Sequence, residues 1–290
     1  MKKHLRLLSA IIFILVAATF SFVLDLPVGS QGAGRLPPAS GGVISYSTPT
    51  HQLTLHEPVI ITFRVVNRTG LPINLDLGQD RKWGFLIAVT KPDGVKLDFP
   101  VIVHEGIAIP GDVSIKADET FAQDLLINEW YTFPLPGKYE IEVRLSKPIN
   151  LNNGSGYETD SGFRAAVEIG SRDELTLART CEALTNQIEA SNSYEQASDA
   201  ARTLSYIEDP VAVPYLRRTL LSGKLVQPIA INALEKIANE AAVRVLIECL
   251  KVESVGDDRK LAHYALVRIQ KKTADESLRR EIDRALANDL

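Results

Sequence analysis

One pattern returns three times in the second half of the chain. Ala200-x-x-x-Leu204-x-x-Ile207 recurs as Ala230-x-x-x-Leu234-x-x-Ile237 and as Ala262-x-x-x-Leu266-x-x-Ile269. Residues three and four apart share one face of a helix, so each segment is expected to carry an apolar stripe. The segments between recur as well: Val211, Ala212, Val213, Tyr215, Leu216 and Leu220 align with Ala241, Ala242, Val243, Val245, Leu246 and Leu250. Alanine lets neighbouring helices approach closely, while leucine and isoleucine fill the space between layers. A unit this small cannot bury its own face and has to stack. Asp209-Pro210 supplies an N-cap and a proline at the first helical position, where the missing N–H costs no hydrogen bond. Asn239-Glu240 stands at the equivalent place one unit on and is expected to cap less well. Asp275 to Leu286 reads as a terminal helix with Arg279, Arg280, Glu281, Asp283 and Arg284 on its solvated side. Residues 171–290 are therefore expected to form an all-α repeat domain.

Residues 43–170 keep a different period. Val59, Ile61, Phe63 and Val65 alternate with Thr62 and Arg64, and Tyr139, Ile141, Val143 and Leu145 alternate with Glu140, Glu142 and Arg144. Such alternation marks strands with one buried face. Ile73/Leu75/Leu77, Phe85/Ile87/Val89, Phe121/Leu125/Ile127 and Phe163/Ala165/Val167/Ile169 add candidates. Turn signals separate them at Asn67-Arg68-Thr69-Gly70, Pro92-Asp93-Gly94, Pro110-Gly111, Pro136-Gly137 and Asn152-Asn153-Gly154-Ser155-Gly156. Short strands interrupted this often predict an all-β, two-sheet sandwich. Alternation stops at Ile169 and helical spacing begins by Leu175, so the boundary is expected at Gly170-Ser171-Arg172.

The β segment resembles bacterial immunoglobulin-like domains found outside the cytoplasm. The resemblance rests on Glu57-Pro58-Val59 leading into a strand that ends Val66-Asn67-Arg68-Thr69, and on Pro136-Gly137-Lys138-Tyr139 opening a late strand. The segment is also similar to the sandwich of the intracellular proteinase inhibitor family, although no inhibitory loop transfers residue by residue. From Ala200 to Lys271, and most clearly over Asp209-Pro210-Val211-Ala212-Val213-Pro214-Tyr215-Leu216, the chain resembles the HEAT-type repeats of the phycobilisome-lyase-like group. The resemblances imply an N-terminal immunoglobulin-like β-sandwich followed by a C-terminal HEAT-like α-solenoid that presents a surface to a partner. The lyase activity in the group's name belongs to particular members, and no bilin-binding residue is identifiable here.

Ahead of both segments, Lys2, Lys3 and Arg6 precede an uncharged apolar run from Leu7 to Leu24, followed by Pro27, Val28, Gly29 and Ser30. This pattern reads as a signal peptide over residues 1–30, cleaved after Ser30. The alternative is an uncleaved anchor, against which the run falls just short of the roughly 20 residues a spanning helix needs. Residues 31–42, rich in glycine and proline, read as a flexible leader. The expected location is periplasmic or secreted, with membrane contact only if the N-terminal segment stays attached. A net charge of −4, from 32 basic and 36 acidic side chains, leaves no basic stripe for phosphates, so nucleic acid is not an expected partner. Cys181 and Cys249 lie more than two repeats apart on predicted helices and are expected to be buried free thiols.

The residue patterns of known chemistry are incomplete. His56-Glu57 and His104-Glu105 begin like a zinc-protease helix, but Ile60 and Ala108 stand where the second histidine belongs. His51 and His56 are close enough in sequence to meet across a turn, yet a zinc cluster needs further ligands from distant loops. Neither a Gly-x-Ser-x-Gly elbow nor a phosphate-binding Gly-x-x-x-x-Gly-Lys loop occurs. Asp76, Asp80, Asp93, Asp112, Asp118 and Glu119 match no dedicated calcium loop and read as solvated turn acids. Asn67-Arg68-Thr69 and Asn153-Gly154-Ser155 have the form of glycosylation sites but read as turns. No catalytic residue, metal ligand or cofactor is therefore expected.

Two places qualify as binding surfaces. Arg81-Lys82-Trp83-Gly84-Phe85 and Asn128-Glu129-Trp130-Tyr131-Thr132-Phe133 hold both tryptophans of the chain. Trp83 and Trp130 are either core residues between sheets or an aromatic platform near a loop end, with Arg81 and Lys82 adding charge selectivity. In the helical repeats, Asn232, Glu235 and Lys236, with His263, Arg268 and Lys271 one repeat on, alternate with the inward stripe and must face solvent. Lys236 and Arg268 are the charged candidates there. The leading expectation is a non-enzymatic extracytoplasmic binding or scaffold protein whose partner is a protein or peptide. The alternatives are a protease inhibitor acting through a sandwich loop and a hydrolase using loop carboxylates.

Overall fold

The computed structural model describes residues 42–48, 52–78, 81–100, 112–151, 156–158, 162–251 and 257–287. The expected signal segment, with the leader as far as residue 41, lies outside them, as do His51, Asp80, His104 and Asn153.

Strands come first: β1 (Gly42–Ser47), β2 (Leu53–Thr54), β3 (Ile60–Asn67) and β4 (Ile73–Asp76), then a short helical turn, α1 (Arg81–Gly84). They continue with β5 (Phe85–Thr90), β6 (Lys96–Phe99), β7 (Asp112–Ile115), β8 (Thr120–Leu126), β9 (Gly137–Leu145), β10 (Ile149–Leu151), β11 (Gly156–Glu158) and β12 (Phe163–Gly170). Helices follow: α2 (Glu174–Ala190), α3 (Tyr194–Leu204), α4 (Val213–Leu221), α5 (Gln227–Ile237), α6 (Glu240–Lys251), α7 (Asp257–Lys272) and α8 (Glu276–Ala287). The chain is thus N-terminal sheets followed by C-terminal helices. The sheets run in the orders β1-β3-β8, β11-β10-β4-β7 and β2-β12-β9-β5-β6.

The alternating rows become the inner faces of the sheets. Val59, Ile61, Phe63 and Val65 are fully buried, and Tyr139, Ile141 and Val143 nearly so. Phe63 meets the edge of Phe85 with ring centroids 5.1 Å apart, a favoured aromatic geometry. The helical core is a separate cluster, and the repeated positions supply it: Ala200, Leu204, Ala230, Leu234, Ala262, Leu266 and Ile269 are all buried. Two expectations shift at the second repeat. Ile237 is only partly buried, because α5 ends on it and Ala238 turns the chain through a left-handed conformation at φ 49°. The cap expected to be weak is made, since Asn239 Oδ1 accepts from the Ala242 N–H at 2.8 Å.

The joint between sheets and helices is short, polar and pinned. β12 ends at Gly170 and α2 begins at Glu174, with Asp173 as its N-cap. β2 runs parallel to the end of β12, pairing Leu53 with Ile169 and Thr54 with Gly170. The buried Thr54 hydroxyl donates to the Ser171 carbonyl and accepts from the Asp173 N–H, each at 2.7 Å. Glu57 accepts from the Thr54 N–H at 3.0 Å and from the Thr180 hydroxyl at 3.2 Å, so one carboxylate binds the sheet edge to α2. Arg172 grips Asp209 with two parallel bonds of 2.6 and 2.9 Å, while Asp209 Oδ1 also caps the turn before α4 by accepting from the Val211 N–H at 3.0 Å.

Two predictions follow from this packing. Leu234→Ala empties a buried site in the repeat core and is expected to cost about 2–5 kcal/mol, read by urea unfolding. The Arg172 guanidinium, with help from the Val211 N–H, holds the Asp209 carboxyl below its ordinary range. A depressed folded value means that this contact stabilises the protein above the ordinary carboxylate range and loses its effect as pH falls through the depressed value. Asp209→Ala is expected to cost about 1–2 kcal/mol at neutral pH from the lost cap alone, and to flatten the acid limb of the stability profile.

Candidate functional site

A cleft of about 750 Å³ opens where the sheets meet the helices. Its helical wall follows from spacing. Ile229, Asn232, Ala233 and Lys236 fall at successive three- and four-residue steps along α5, and Arg202, Ser205 and Tyr206 do the same at the end of α3. The sheet wall is formed by Leu77 and Gly78 after β4, Lys82 on α1, Gln123 on β8, and Glu129. Gly84 fixes the position of α1, because a Cβ there would lie 2.7 Å from the Leu77 carbonyl oxygen. Glu129 ends a 3₁₀ turn that is anchored to the start of β3. The Ile127 N–H donates to the Val59 carbonyl at 2.8 Å, and the Val59 N–H donates to Asn128 Oδ1 at 2.7 Å.

The charges of the lining are unbalanced, with Lys82, Arg202 and Lys236 set against the single carboxylate of Glu129. The Glu129 side chain is 6 % exposed, and its Oε1 lies 3.6 Å from Arg202, an ion pair that crosses from sheet to helix. Arg202 itself is 42 % exposed. Lys236 sits 4.6 Å from the centroid of the Tyr206 ring and 3.3 Å from Glu208, so it is held at the rim. Gln123 shares the inward row of β8 with Leu125 and stands opposite the buried Phe63. Its Oε1 is buried and accepts no hydrogen bond among the described residues.

The candidates singled out in the sequence separate here. Lys236 lines the cleft, and Lys82 and Glu129, the immediate neighbours of Trp83 and Trp130, line it as well. The tryptophans do not. Trp130 packs half-buried against the sheet core, and Trp83 is half-buried on α1, with its carbonyl accepting from the Ser146 hydroxyl. Arg81 opens α1, and its side chain lies outside the described residues. Arg268 belongs to a different assembly: both arms of its guanidinium reach Glu235, at 2.6 Å each, tying α7 to α5. Arg217 with Glu248, and Arg218 with Glu182 and Glu189, make equivalent ties across other helices. Arg202 and Gln123 were not singled out in the sequence. The available signal was a glutamine standing in the apolar row between Phe121 and Leu125.

The remaining expectations about chemistry resolve individually. Asn67 is fully buried, its amide nitrogen donating to the carbonyls of Leu71, Ile115 and Lys116, so Asn67-Arg68-Thr69 is a structural turn. Asp93 accepts from the Val95 N–H within its own turn, and Glu119 from the Lys116 N–H. Among the described residues, no group of three or more His, Cys, Asp and Glu side chains is placed to hold a metal ion, and no helix is long and apolar enough to cross a membrane. Cys181 and Cys249 are free thiols. Burial pushes Cys181 up to about 12 and Cys249 up to about 11, so both stay protonated at neutral pH. A thiol-disulfide reagent is accordingly expected to label neither in the native protein and both in denaturant; fast native labelling would show that the helical core opens.

No protein-family model and no curated protein matches the chain. Solved structures give partial likenesses. A PapD-like domain of human CEP192 is 10 % identical, over 52 % of this chain and 97 % of that one, with a TM-score of 0.29. The β-glucosidase of Listeria innocua, in a mutant bound to laminaribiose, is 14 % identical over 44 % of this chain and 16 % of its own, with a TM-score of 0.25. The native conformation of Escherichia coli alpha-2-macroglobulin is 9 % identical over 87 % of this chain and 18 % of its own, with a TM-score of 0.28.

Proposed function

We propose that this chain is a non-enzymatic binding or scaffold protein that acts outside the cytoplasm and engages a protein partner. In this reading the sheets are an immunoglobulin-like sandwich, the helices a HEAT-like solenoid, and the N-terminal apolar run an export signal. One observation carries it: the cleft is lined by both parts of the chain, with charged side chains on both walls and a wall made by a single face of α5. A surface assembled from two elements and carrying charged side chains on both walls suits recognition, because charge placement gives selectivity between partners. The pinned joint supports the same reading, since walls held in fixed relation lose little freedom on binding.

The test uses the full chain carrying a photo-crosslinking residue in place of Asn232, which is exposed on the cleft wall, in an envelope fraction. The expected result is a stoichiometric crosslinked partner whose yield falls severalfold when Lys236→Gln is added, with thermal stability nearly unchanged. Inhibition of secreted proteases, or turnover in a hydrolase panel, would overturn the reading.

A further inference from the structure

We infer that β1 pairs edge to edge with β1 of a second copy of this chain, antiparallel about a two-fold axis at Ile44. This step goes beyond the binding reading and draws nothing from the cleft. Among the described residues the sheets end in six edge strands, and five of them are guarded. β2 is two residues long, and β11 is three residues ending in Glu158. β6 carries Lys96 and Asp98, β7 opens with Asp112, and β8 holds Asp124. Short length and charge are the usual means by which an edge avoids pairing with another chain. β1, Gly42–Ser47, has six residues with neither a charge nor a proline, and among the described residues its sheet neighbour is β3 alone.

The hydrogen bonds of β3 fix which groups of β1 face outward. The Asn67 N–H donates to the Glu119 carbonyl, and the Ile127 N–H donates to the Val59 carbonyl, at 2.9 and 2.8 Å. Odd-numbered residues of β3 thus turn their backbone groups toward β8, and even-numbered ones toward β1. Those even residues, Thr62, Arg64 and Val66, stand opposite Ser47, Ser45 and Val43. The N–H and C=O of Ile44 therefore point to the outer edge, while its side chain stays half-buried against the sheet core. A two-fold axis at Ile44 lets this residue exchange both hydrogen bonds with its own copy. It also sets Val43, 47 % exposed, opposite the exposed Ser45 of the other copy, so no charge meets its like. A slip of one residue would face these groups with ones already bonded to β3. A second copy fits better than a loose peptide because its strand arrives ordered, backed by β3 and by Tyr46 stacked 5.4 Å from Phe163. The two-fold pairing is closed and stops at two chains.

Sedimentation velocity of the full chain over a range of concentrations tests the inference, and the unaltered protein is expected to dimerise. Ile44→Pro deletes the outward N–H and spares the bonds to β3, so it should give a monomer. Val43→Lys combined with Ser45→Lys sets like charges across both outer pairs and should also give a monomer, whereas Val43→Lys combined with Ser45→Glu should restore the dimer. Both pairs of changes lie on the exposed face and should leave the melting temperature nearly unchanged, so they decide the matter even if the proline variant unfolds. A monomer at every concentration, a dimer that survives Ile44→Pro or the double lysine variant, or a lysine–glutamate variant that stays monomeric would each overturn the inference. None of these outcomes bears on the crosslinked partner at residue 232, so the two readings fail separately.

Discussion

The arrangement of sheets and helices depends on a two-residue strand. Thr54 sits at the end of β2, where its backbone pairs with Gly170 and its hydroxyl closes the gap to Ser171 and Asp173. A buried hydroxyl that both donates and accepts satisfies the Ser171 carbonyl and the Asp173 N–H at once, and losing it would leave both without that partner. Glu57 extends the clasp to α2, and Arg172 extends it to Asp209 at the head of α4. Because α2 and α4 are both held from the same few residues, the helices inherit their placement from the sheet edge.

Farther out, charge takes over from burial. Successive helical layers are tied by arginines reaching carboxylates on a neighbouring helix: Arg218 to Glu182 and Glu189, Arg217 to Glu248, Arg268 to Glu235. Each is an exposed or half-exposed pair whose individual worth is small, about 0–1 kcal/mol. Their effect is one of register. An arginine fork bound to a carboxylate one layer away fixes how far one helix can slide past another, which the alanine-rich contacts beneath would otherwise permit. Arg202 and Glu129 extend the same device across the junction, there with a carboxylate that is almost wholly buried.

Much of the local structure was readable from the chain, because burial in strands and helices follows a period. Tyr139, Ile141 and Val143 announced the inner face of β9, and Leu204, Leu234 and Leu266 the spine of the helical core. The boundary between sheets and helices was legible at Gly170 for the same reason. The cleft was not, because no period relates Lys82 to Lys236 or Gln123 to Arg202; only the folded joint brings them together. Arg268 shows the limit from the other side. Helical spacing placed it outward, as it is, but whether an outward arginine meets solvent or Glu235 depends on the distance between layers, which spacing does not encode. Gln123 stands between these cases: it is a polar residue in the apolar row between Phe121 and Leu125, yet nothing in the row itself says that it borders a cleft.

The clasp at Thr54 has a consequence for the order of assembly. Thr54 and Ser171 are 117 positions apart, so the contact that seats the helices on the sheets is among the most non-local in the molecule. Each half can gather its own core from nearer neighbours first, while β2 waits for the last strand to arrive. A chain still emerging, or one clipped before α5, can hold much of its sheet structure and still lack a cleft. The cleft thus has a requirement that neither half meets alone: its walls come from segments more than a hundred positions apart, from Leu77 to Lys236, and it exists only where both have folded.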